Sequence, residues 1–314
     1  MILFFYGADS YRLHQQVGKL KDRFISASLG DTNLAVLDGK TLTYEEFVRQ
    51  TLAMPFLSKT RLVIIENILS EAKGGELQDK IGEALKKVPS STVLLFTETK
   101  PDKRLSLFKK LLKADKVQEF ALLGEDQLRR WIKKKVEARG GSIEPEAVNQ
   151  LAEFVGNDLW RMSNEIDKLT TYNRQLTTKD IELLVSPQIQ ANIFALIEAV
   201  AAQNSRGATG ELYKLFSAGA NELYILTMIT YQYRNMLIIK DLTEHFKNAN
   251  RWVLSQKAGL HPFVVGKCLA VCQKCSLESL WAAYSRIADF DISIKTGKIE
   301  PRIALELLVF ELTK

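Results

Sequence analysis

The chain has 314 residues, of which 46% are hydrophobic and 25% charged, and this length predicts two or three domains rather than one core. No apolar run approaches the roughly 20 residues of a membrane span, and the apolar start lacks the basic region of a signal peptide. Three cysteines, an odd number, argue against a disulfide framework. We therefore expect a cytoplasmic protein. The net charge of +6 is compatible with contact to phosphates and equally with a solvated basic surface.

Residues 1–123 are predicted to alternate strands with helices. Strands are expected at Ile2–Tyr6, Leu34–Leu37, Arg61–Glu66, Thr92–Phe96 and Val117–Phe120. Helices are expected from Ser10 to about Phe24, after the capping box Thr43–Glu46, and at Glu76–Lys87 and Leu105–Leu112. Strands of near-continuous Val, Ile, Leu and Phe are typical of a parallel sheet that is buried on both faces. The alternation therefore predicts a doubly wound α/β domain.

After Gly124 the pattern becomes wholly helical. A helix at Glu125–Arg139, ending at two glycines, and three short helices at Glu144–Val155, Asp158–Tyr172 and Thr178–Leu184 predict a small helical domain over 124–187. Ser186-Pro187 interrupts the chain. Further helices are expected at 193–204, 207–218, 221–247, 262–273, 277–295 and 301–313, because apolar residues recur there at spacings of three and four. They predict a larger helical bundle over 188–314.

The first strand is followed by a loop in the position of an ATPase phosphate loop. Such a loop reads G-x-x-x-x-G-K-[ST], so that its amides and lysine hold phosphates and its hydroxyl holds magnesium. Here Gly7, Ala8, Asp9 and Ser10 lack the second glycine, the lysine and the hydroxyl, and Asp9 would repel phosphate. At the end of the third strand only Glu66 stands where an active ATPase has a magnesium-binding aspartate. We therefore expect an ATPase-like fold with a degenerate, non-binding nucleotide site.

Two further groups of residues are candidates for chemistry. Cys268, Cys272 and Cys275 have a spacing found in some iron–sulfur enzymes, but they form one stripe of a predicted helix, which favours buried core thiols. Basic residues crowd the helix after Gly124, namely Arg129, Arg130, Lys133, Lys134, Lys135 and Arg139. They indicate either a solvated helix face or a surface that tracks DNA phosphates. No metal or cofactor site is expected.

Segments spread along the chain match one known family. These segments are Phe4–Tyr11, Met54–Ser58 with Arg61–Ile64, Lys100–Arg104 with Phe108 and Lys109, Gly156–Trp160 with Asn164, Glu165, Lys168 and Leu169, and His261–Phe263 with Lys295–Gly297, Leu305 and Glu306. In their order and spacing they resemble the delta subunit of the bacterial DNA polymerase III clamp loader, over essentially the whole length.

The resemblance implies an AAA+-like module over 1–123, a helical lid over 124–187 and a helical collar over 188–314. It implies a non-catalytic subunit of the polymerase holoenzyme that binds the beta sliding clamp and opens it for loading onto primed DNA. The implied partners are the gamma/tau and delta-prime subunits, with ATP bound by gamma/tau and polymerase activity in another subunit. An ATP-hydrolysing AAA+ protein, a stand-alone DNA-binding module and a cluster-binding enzyme remain as alternatives.

The resemblance assigns clamp binding to the segment around Pro55. Pro55 fixes its own φ, favours an extended Met54 and tends to end the preceding helix. Phe56 and Leu57 are then adjacent apolar side chains at a turn, and the residues alone favour ordinary core over an exposed pair. In the family two adjacent large apolar residues here insert into a pocket of the clamp. The expected clamp-binding residues are therefore Met54, Pro55, Phe56 and Leu57.

Overall fold

The computed structural model describes residues 1–27, 31–70, 75–186, 189–246, 249–260 and 262–314. The chain divides into two compact units, Met1–Leu123 and Gly124–Lys314. The further division of the second unit at residue 187 stays a prediction. Pro187, where we expected the chain to break, and His261, which carries part of the family resemblance, lie outside the described residues, as does the side chain of Phe263.

The first unit is built on a five-stranded sheet in the order β2-β3-β4-β1-β5. Its strands are β1 Ile2–Tyr6, β2 Leu34–Asp38, β3 Arg61–Glu66, β4 Thr92–Glu98 and β5 Lys116–Glu119. Every neighbouring pair is parallel. Consecutive strands in the sequence are therefore joined by crossovers, and the expected doubly wound parallel-sheet domain is confirmed.

Helices cover both faces of this sheet, because β1 to β4 are apolar on both sides. The helices are α1 Ser10–Ala27, α2 Tyr44–Leu52, α3 Glu76–Ala84, which continues into a single 3₁₀ turn, and α4 Ser106–Leu111. On one face Val17 of α1 packs in a cluster with Phe5 and Ile64. On the other face Phe47 of α2 and Ile81 of α3 pack in a cluster with the alternate strand residues. The helices therefore cover the faces of the sheet, and the loops at the amino and carboxyl ends of its strands remain as candidate sites.

The second unit is helical. Its helices are α5 Glu125–Ala138, α6 Pro145–Val155, α7 Leu159–Tyr172, α8 Thr178–Leu184, α9 Ile189–Ala201, α10 Ser205–Ser217, α11 Glu222–His245, α12 Arg251–Ala258, α13 Pro262–Cys272, α14 Leu277–Lys295 and α15 Pro301–Leu312. Two short strands, β6 Ser142–Ile143 and β7 Gln175–Leu176, pair in parallel. Among the helices described, none is long and apolar enough to cross a bilayer.

The structure corrects the predicted elements in three places. It adds α12, which has only two buried residues, Leu254 and Ser255, and therefore shows little helical periodicity in the sequence. It adds the ladder of β6 and β7, which is too short for an alternating pattern to be visible. It also lengthens β4 beyond Phe96 to include Thr97 and Glu98, which are buried although they are polar.

Candidate functional site

The segment after α2 forms an exposed apolar turn, residues 54–57. The helix ends at Leu52, and Ala53 is already extended, with φ −61° and ψ 134°, two residues before Pro55. The side chains beyond it face solvent: Met54 is 90% exposed, Phe56 62% and Leu57 74%. Phe56 and Leu57 are therefore not part of the core, which is the arrangement that an insertion into a partner requires.

The backbone of the exposed turn is held by a buried side chain from the start of β2. The Asn33 side-chain amide donates to the Phe56 carbonyl oxygen at 2.8 Å, and the Phe56 N–H donates to Asn33 Oδ1 at 2.6 Å. Immediately after this pair, Leu57 adopts a left-handed conformation with φ 49°, which is uncommon for a residue other than glycine. The turn therefore has a defined conformation although its side chains are solvated.

The two ends of the turn are also anchored. The Arg61 guanidinium donates to the Gln50 carbonyl oxygen at 3.1 Å and to Gln50 Oε1 at 2.5 Å, so the start of β3 is tied to the last turn of α2. The buried hydroxyl of Thr92, the first residue of β4, donates to the Thr51 carbonyl oxygen at 3.0 Å. Because both ends are fixed to the sheet, the apolar side chains project from a rigid base.

The degenerate phosphate loop follows β1 at the opposite edge of the sheet. Its amides already have acceptors: Gly7 N–H donates to the Glu98 carbonyl oxygen at 2.9 Å, and Asp9 N–H donates to the Phe120 carbonyl oxygen at 2.9 Å. Ser10 N–H donates to the Ala8 carbonyl oxygen at 3.1 Å. A phosphate-binding loop needs such amides directed at the ligand. Here the Gly7 and Asp9 amides instead bond the loop to Glu98 of β4 and to Phe120, the residue after β5.

Asp9 closes the loop further. Its side chain is 4% exposed and accepts hydrogen bonds from the Arg12 backbone N–H at 2.9 Å and from Arg12 Nε at 2.5 Å. The Asp9 side chain thus caps α1. Its carboxylate occupies the end of the helix where a nucleotide phosphate would bind in an active ATPase.

The acidic residues at the carboxyl edge of the sheet differ from the expectation. Glu66 ends β3 beside Thr97, as predicted, and is only partly buried. The fully buried acid is Glu98, which lies beyond the predicted end of β4 at Phe96 and was therefore not among the expected site residues. Glu98 Oε1 accepts from the Leu69 N–H at 2.6 Å, and its other oxygen accepts from the Ser70 hydroxyl at 3.1 Å. Glu98 therefore fixes the loop that follows β3.

The two predicted sites of the first unit are separated by the length of one strand. The exposed turn precedes Arg61, the first residue of β3, and Glu66 is its last. At about 3.3 Å per residue the ends of this strand lie roughly 16 Å apart. The structure thus places the apolar turn at the amino edge of the sheet and the degenerate loop at the carboxyl edge, so they do not form one site.

Four of the six predicted basic residues fall into two groups on α5. Arg129 pairs with Asp126 at 3.2 Å, which neutralises part of its charge, and Arg130 Nε donates to the Asp126 carbonyl oxygen at 3.2 Å. Lys133 and Lys134 are exposed one turn further along the helix. The two lysines are therefore the members of this set that remain best placed to meet phosphates.

The cysteines belong to the core of the second unit. Cys268 and Cys272 are buried on α13, and Cys275 lies beyond the helix end and is partly exposed. Burial, with a neighbouring thiol as a smaller cause, raises the pKa of Cys268 and of Cys272 to about 12. Within the described parts of the chain, no three His, Cys, Asp or Glu side chains are grouped so that they could hold a metal ion. The interpretation of Cys268 and Cys272 as core thiols is confirmed.

Family models match nearly the whole chain in three segments. A model described as the DNA polymerase III delta subunit matches residues 3–121, and one described as the C-terminal domain of that subunit matches residues 190–312. A third model, described as a middle domain, matches residues 125–183.

Individual relatives agree with these models. The DNA polymerase III subunit delta of Bacillus subtilis (strain 168) is 25% identical over 320 residues, covering 98% of this chain and 92% of the relative. A probable DNA polymerase III subunit delta of Aquifex aeolicus (strain VF5) is 21% identical, covering 78% and 72%. The solved DNA clamp loader delta protein of Bacillus subtilis superposes with a TM-score of 0.74 at 24% identity, covering 99% of this chain and 95% of that chain, which supports the same fold.

Proposed function

Because the chain belongs to the family of DNA polymerase III delta subunits, which act in clamp loading for DNA replication, we propose that it binds the beta sliding clamp and opens it for loading onto primed DNA. Clamp contact is assigned to Met54, Pro55, Phe56 and Leu57. Within the loader, the chain assembles with gamma/tau and delta-prime subunits through residues 188–314.

The observation that carries this proposal is the solvent exposure of Phe56 and Leu57 on an anchored turn. Large apolar side chains usually face the core, so two adjacent ones that project into solvent favour a partner surface that buries them. Full burial of such a side chain contributes roughly 1.5 to 3 kcal/mol. Because 62% of Phe56 and 74% of Leu57 are exposed, most of that free energy is available for binding.

Opening a ring requires more than binding it. The chain can shift the clamp toward its open form only by the difference between its affinities for the open and closed interfaces. A rigidly held pair of apolar anchors suits this task, because an anchor of fixed direction fits one arrangement of the partner pocket better than another. We therefore expect the chain to bind an opened or monomeric clamp more tightly than the closed ring.

The alternative of an ATP-hydrolysing protein is disfavoured by the same structure. The Gly7 and Asp9 amides already donate to carbonyl oxygens of neighbouring strands, and the Asp9 carboxylate adds negative charge where phosphate would bind. The energy of nucleotide binding would then come from the gamma/tau subunits of the loader. Hydrolysis of ATP by the isolated chain would contradict this part of the proposal.

A titration of the full chain with its own sliding clamp tests the proposal. The test variant carries Phe56→Ala and Leu57→Ala, and a matched control carries Leu112→Ala and Val117→Ala, which are also exposed apolar residues of the first unit. We expect the test variant to lose affinity by on the order of 100-fold, from the burial of two anchors, and the control to bind as wild type.

Assembly with the gamma/tau and delta-prime subunits should be unchanged in both variants, because the altered residues lie in the first unit. Clamp affinity of the Phe56 and Leu57 variant equal to that of wild type would refute the assignment. Loss of affinity in both variants would show that the effect is not specific to the turn.

A further inference from the structure

Asn33 stands out among the buried polar residues because its side chain bonds to a single residue of the exposed turn. It is fully buried and lies directly before β2. Its amide donates to the Phe56 carbonyl oxygen and accepts from the Phe56 N–H, at 2.8 and 2.6 Å. A residue of a neighbouring antiparallel strand would bond to the N–H and the carbonyl oxygen of Phe56 in the same way. Here one side chain makes both bonds.

The backbone of Asn33 is itself fixed to the sheet. Its carbonyl oxygen accepts from the Leu62 N–H of β3 at 2.9 Å. Asn33 therefore connects the starts of β2 and β3 to the exposed turn. A buried amide with both ends bonded is stable in one orientation only, so the position of Phe56 relative to the sheet follows from the side-chain geometry of Asn33.

The conformation of the next residue requires such a restraint. Leu57 has φ 49°, and the left-handed region costs a residue with a Cβ roughly 1 to 2 kcal/mol. Conformations of this kind persist only where their surroundings impose them. The Leu57 side chain is 74% exposed and gains little from the core, so the restraint has to come through the backbone. The two bonds from Asn33 to the adjacent residue supply it.

We propose that Asn33 is a positioning residue that presets the direction of the Phe56 and Leu57 side chains for clamp binding. The inference rests on the proposed function of the exposed turn. A turn that already has its bound conformation loses less conformational entropy on association. Without the tether the competent conformation is only one of several, and the apparent affinity falls by the fraction of chains that adopt it.

The decisive variants are Asn33→Leu, which removes both bonds and keeps the branching and number of side-chain heavy atoms, and Asn33→Asp, which keeps the acceptor for the Phe56 N–H but loses the donor. Gln78→Leu is the matched control. Gln78 is 1% exposed in the same unit, and its amide donates to the Ile68 carbonyl oxygen at 3.0 Å, away from the turn. Thermal unfolding reports how far each variant is destabilised.

Two readouts separate positioning from a general loss of stability. Hydrogen exchange at the Phe56 amide should be faster in Asn33→Leu, because the acceptor of that amide is gone. Clamp affinity should fall by about ten-fold if the competent conformation drops to about a tenth of the population. Asn33→Asp should change both readouts in the same direction, and it serves as the test if Asn33→Leu does not fold. Gln78→Leu should lower the melting temperature and bind the clamp as wild type does.

A combined variant tests whether Asn33 acts through the turn. In a background that carries both Phe56→Ala and Leu57→Ala, Asn33→Leu should cost little further affinity, because the side chains that it directs are gone. Wild-type clamp affinity in Asn33→Leu, or equal losses in Asn33→Leu and Gln78→Leu, would overturn the positioning role while leaving the proposed function intact. Wild-type affinity in the Phe56→Ala and Leu57→Ala variant would instead refute the proposed function itself.

Discussion

Substitution of Gly7 in the degenerate phosphate loop tests whether this glycine serves ligand binding or packing. If its glycine served to bring the backbone close to a phosphate, Gly7→Ala would affect ligand binding and leave folding largely intact. The structure indicates a packing role instead. A Cβ on Gly7 would lie 2.3 Å from the Phe120 carbonyl oxygen and 2.5 Å from its carbonyl carbon, and the residue has φ 139°. We therefore expect Gly7→Ala to destabilise the first unit.

The size of the effect follows from these contacts. An L side chain in this backbone region is strained by on the order of 1 to 3 kcal/mol. Relief of the overlap would move Phe120 away from the loop and weaken two backbone bonds, Phe120 N–H to the Tyr6 carbonyl oxygen and Asp9 N–H to the Phe120 carbonyl oxygen, at about 1 kcal/mol each. We expect a net loss in the free energy of unfolding of about 3 kcal/mol.

Urea unfolding of the full chain, combined with hydrogen exchange of peptides from 2–6 and 116–119, measures this loss where it occurs. Gly18→Ala is the matched control: a Cβ there meets no heavy atom within 4 Å in the interior of α1, so it should stabilise by roughly 0.5 to 1 kcal/mol. Tryptophan fluorescence follows the second unit, since all four tryptophans lie beyond residue 124. Equal stability of Gly7→Ala and wild type would refute the packing role.

Two further predictions concern the second unit. In native protein at pH 8, iodoacetamide should modify Cys275 well before Cys268 and Cys272, because a pKa near 12 keeps the buried thiols protonated at that pH; peptide mapping that finds equal rates would contradict this. In the assembled loader, Lys133→Ala with Lys134→Ala should weaken the binding of primed DNA. The slope of log affinity against log salt concentration should fall by about 1 for each phosphate that a lysine no longer neutralises. An unchanged slope in a salt titration would show that these lysines form a solvated face.

Much of the first unit could be predicted from its sequence, because β1 to β4 are short, nearly continuous apolar runs. Such a run is stable only when both faces of a strand are covered, and that requirement predicts parallel strands with helices between them. The end of β4 was missed for the same reason. Thr97 and Glu98 are polar, and their burial depends on hydrogen bonds from other segments, such as the Leu69 N–H, which a local pattern does not contain.

The helical unit was predicted less completely where burial is sparse. Helices with a broad apolar face, such as α6 with five buried residues, appear clearly in the pattern of the sequence. The short helix α12 buries two residues and is capped by Asn250, whose side chain accepts from the Val253 N–H. Its stability comes from packing in the second unit rather than from its own periodicity, so the sequence offers little sign of it.

The candidate site also has features that the sequence alone predicts and features that only the folded chain decides. The residues alone establish that the phosphate loop lacks its lysine and hydroxyl, since these are single residues at fixed positions, and Pro55 alone indicates where α2 must end. They leave open whether Phe56 and Leu57 are core or surface, because adjacent apolar residues look alike in both. The folded chain resolves this question, because Phe56 is 62% exposed and Leu57 74%. The backbone of the turn is bonded to Asn33, 23 residues away, and such long-range contacts exist only once the sheet has formed.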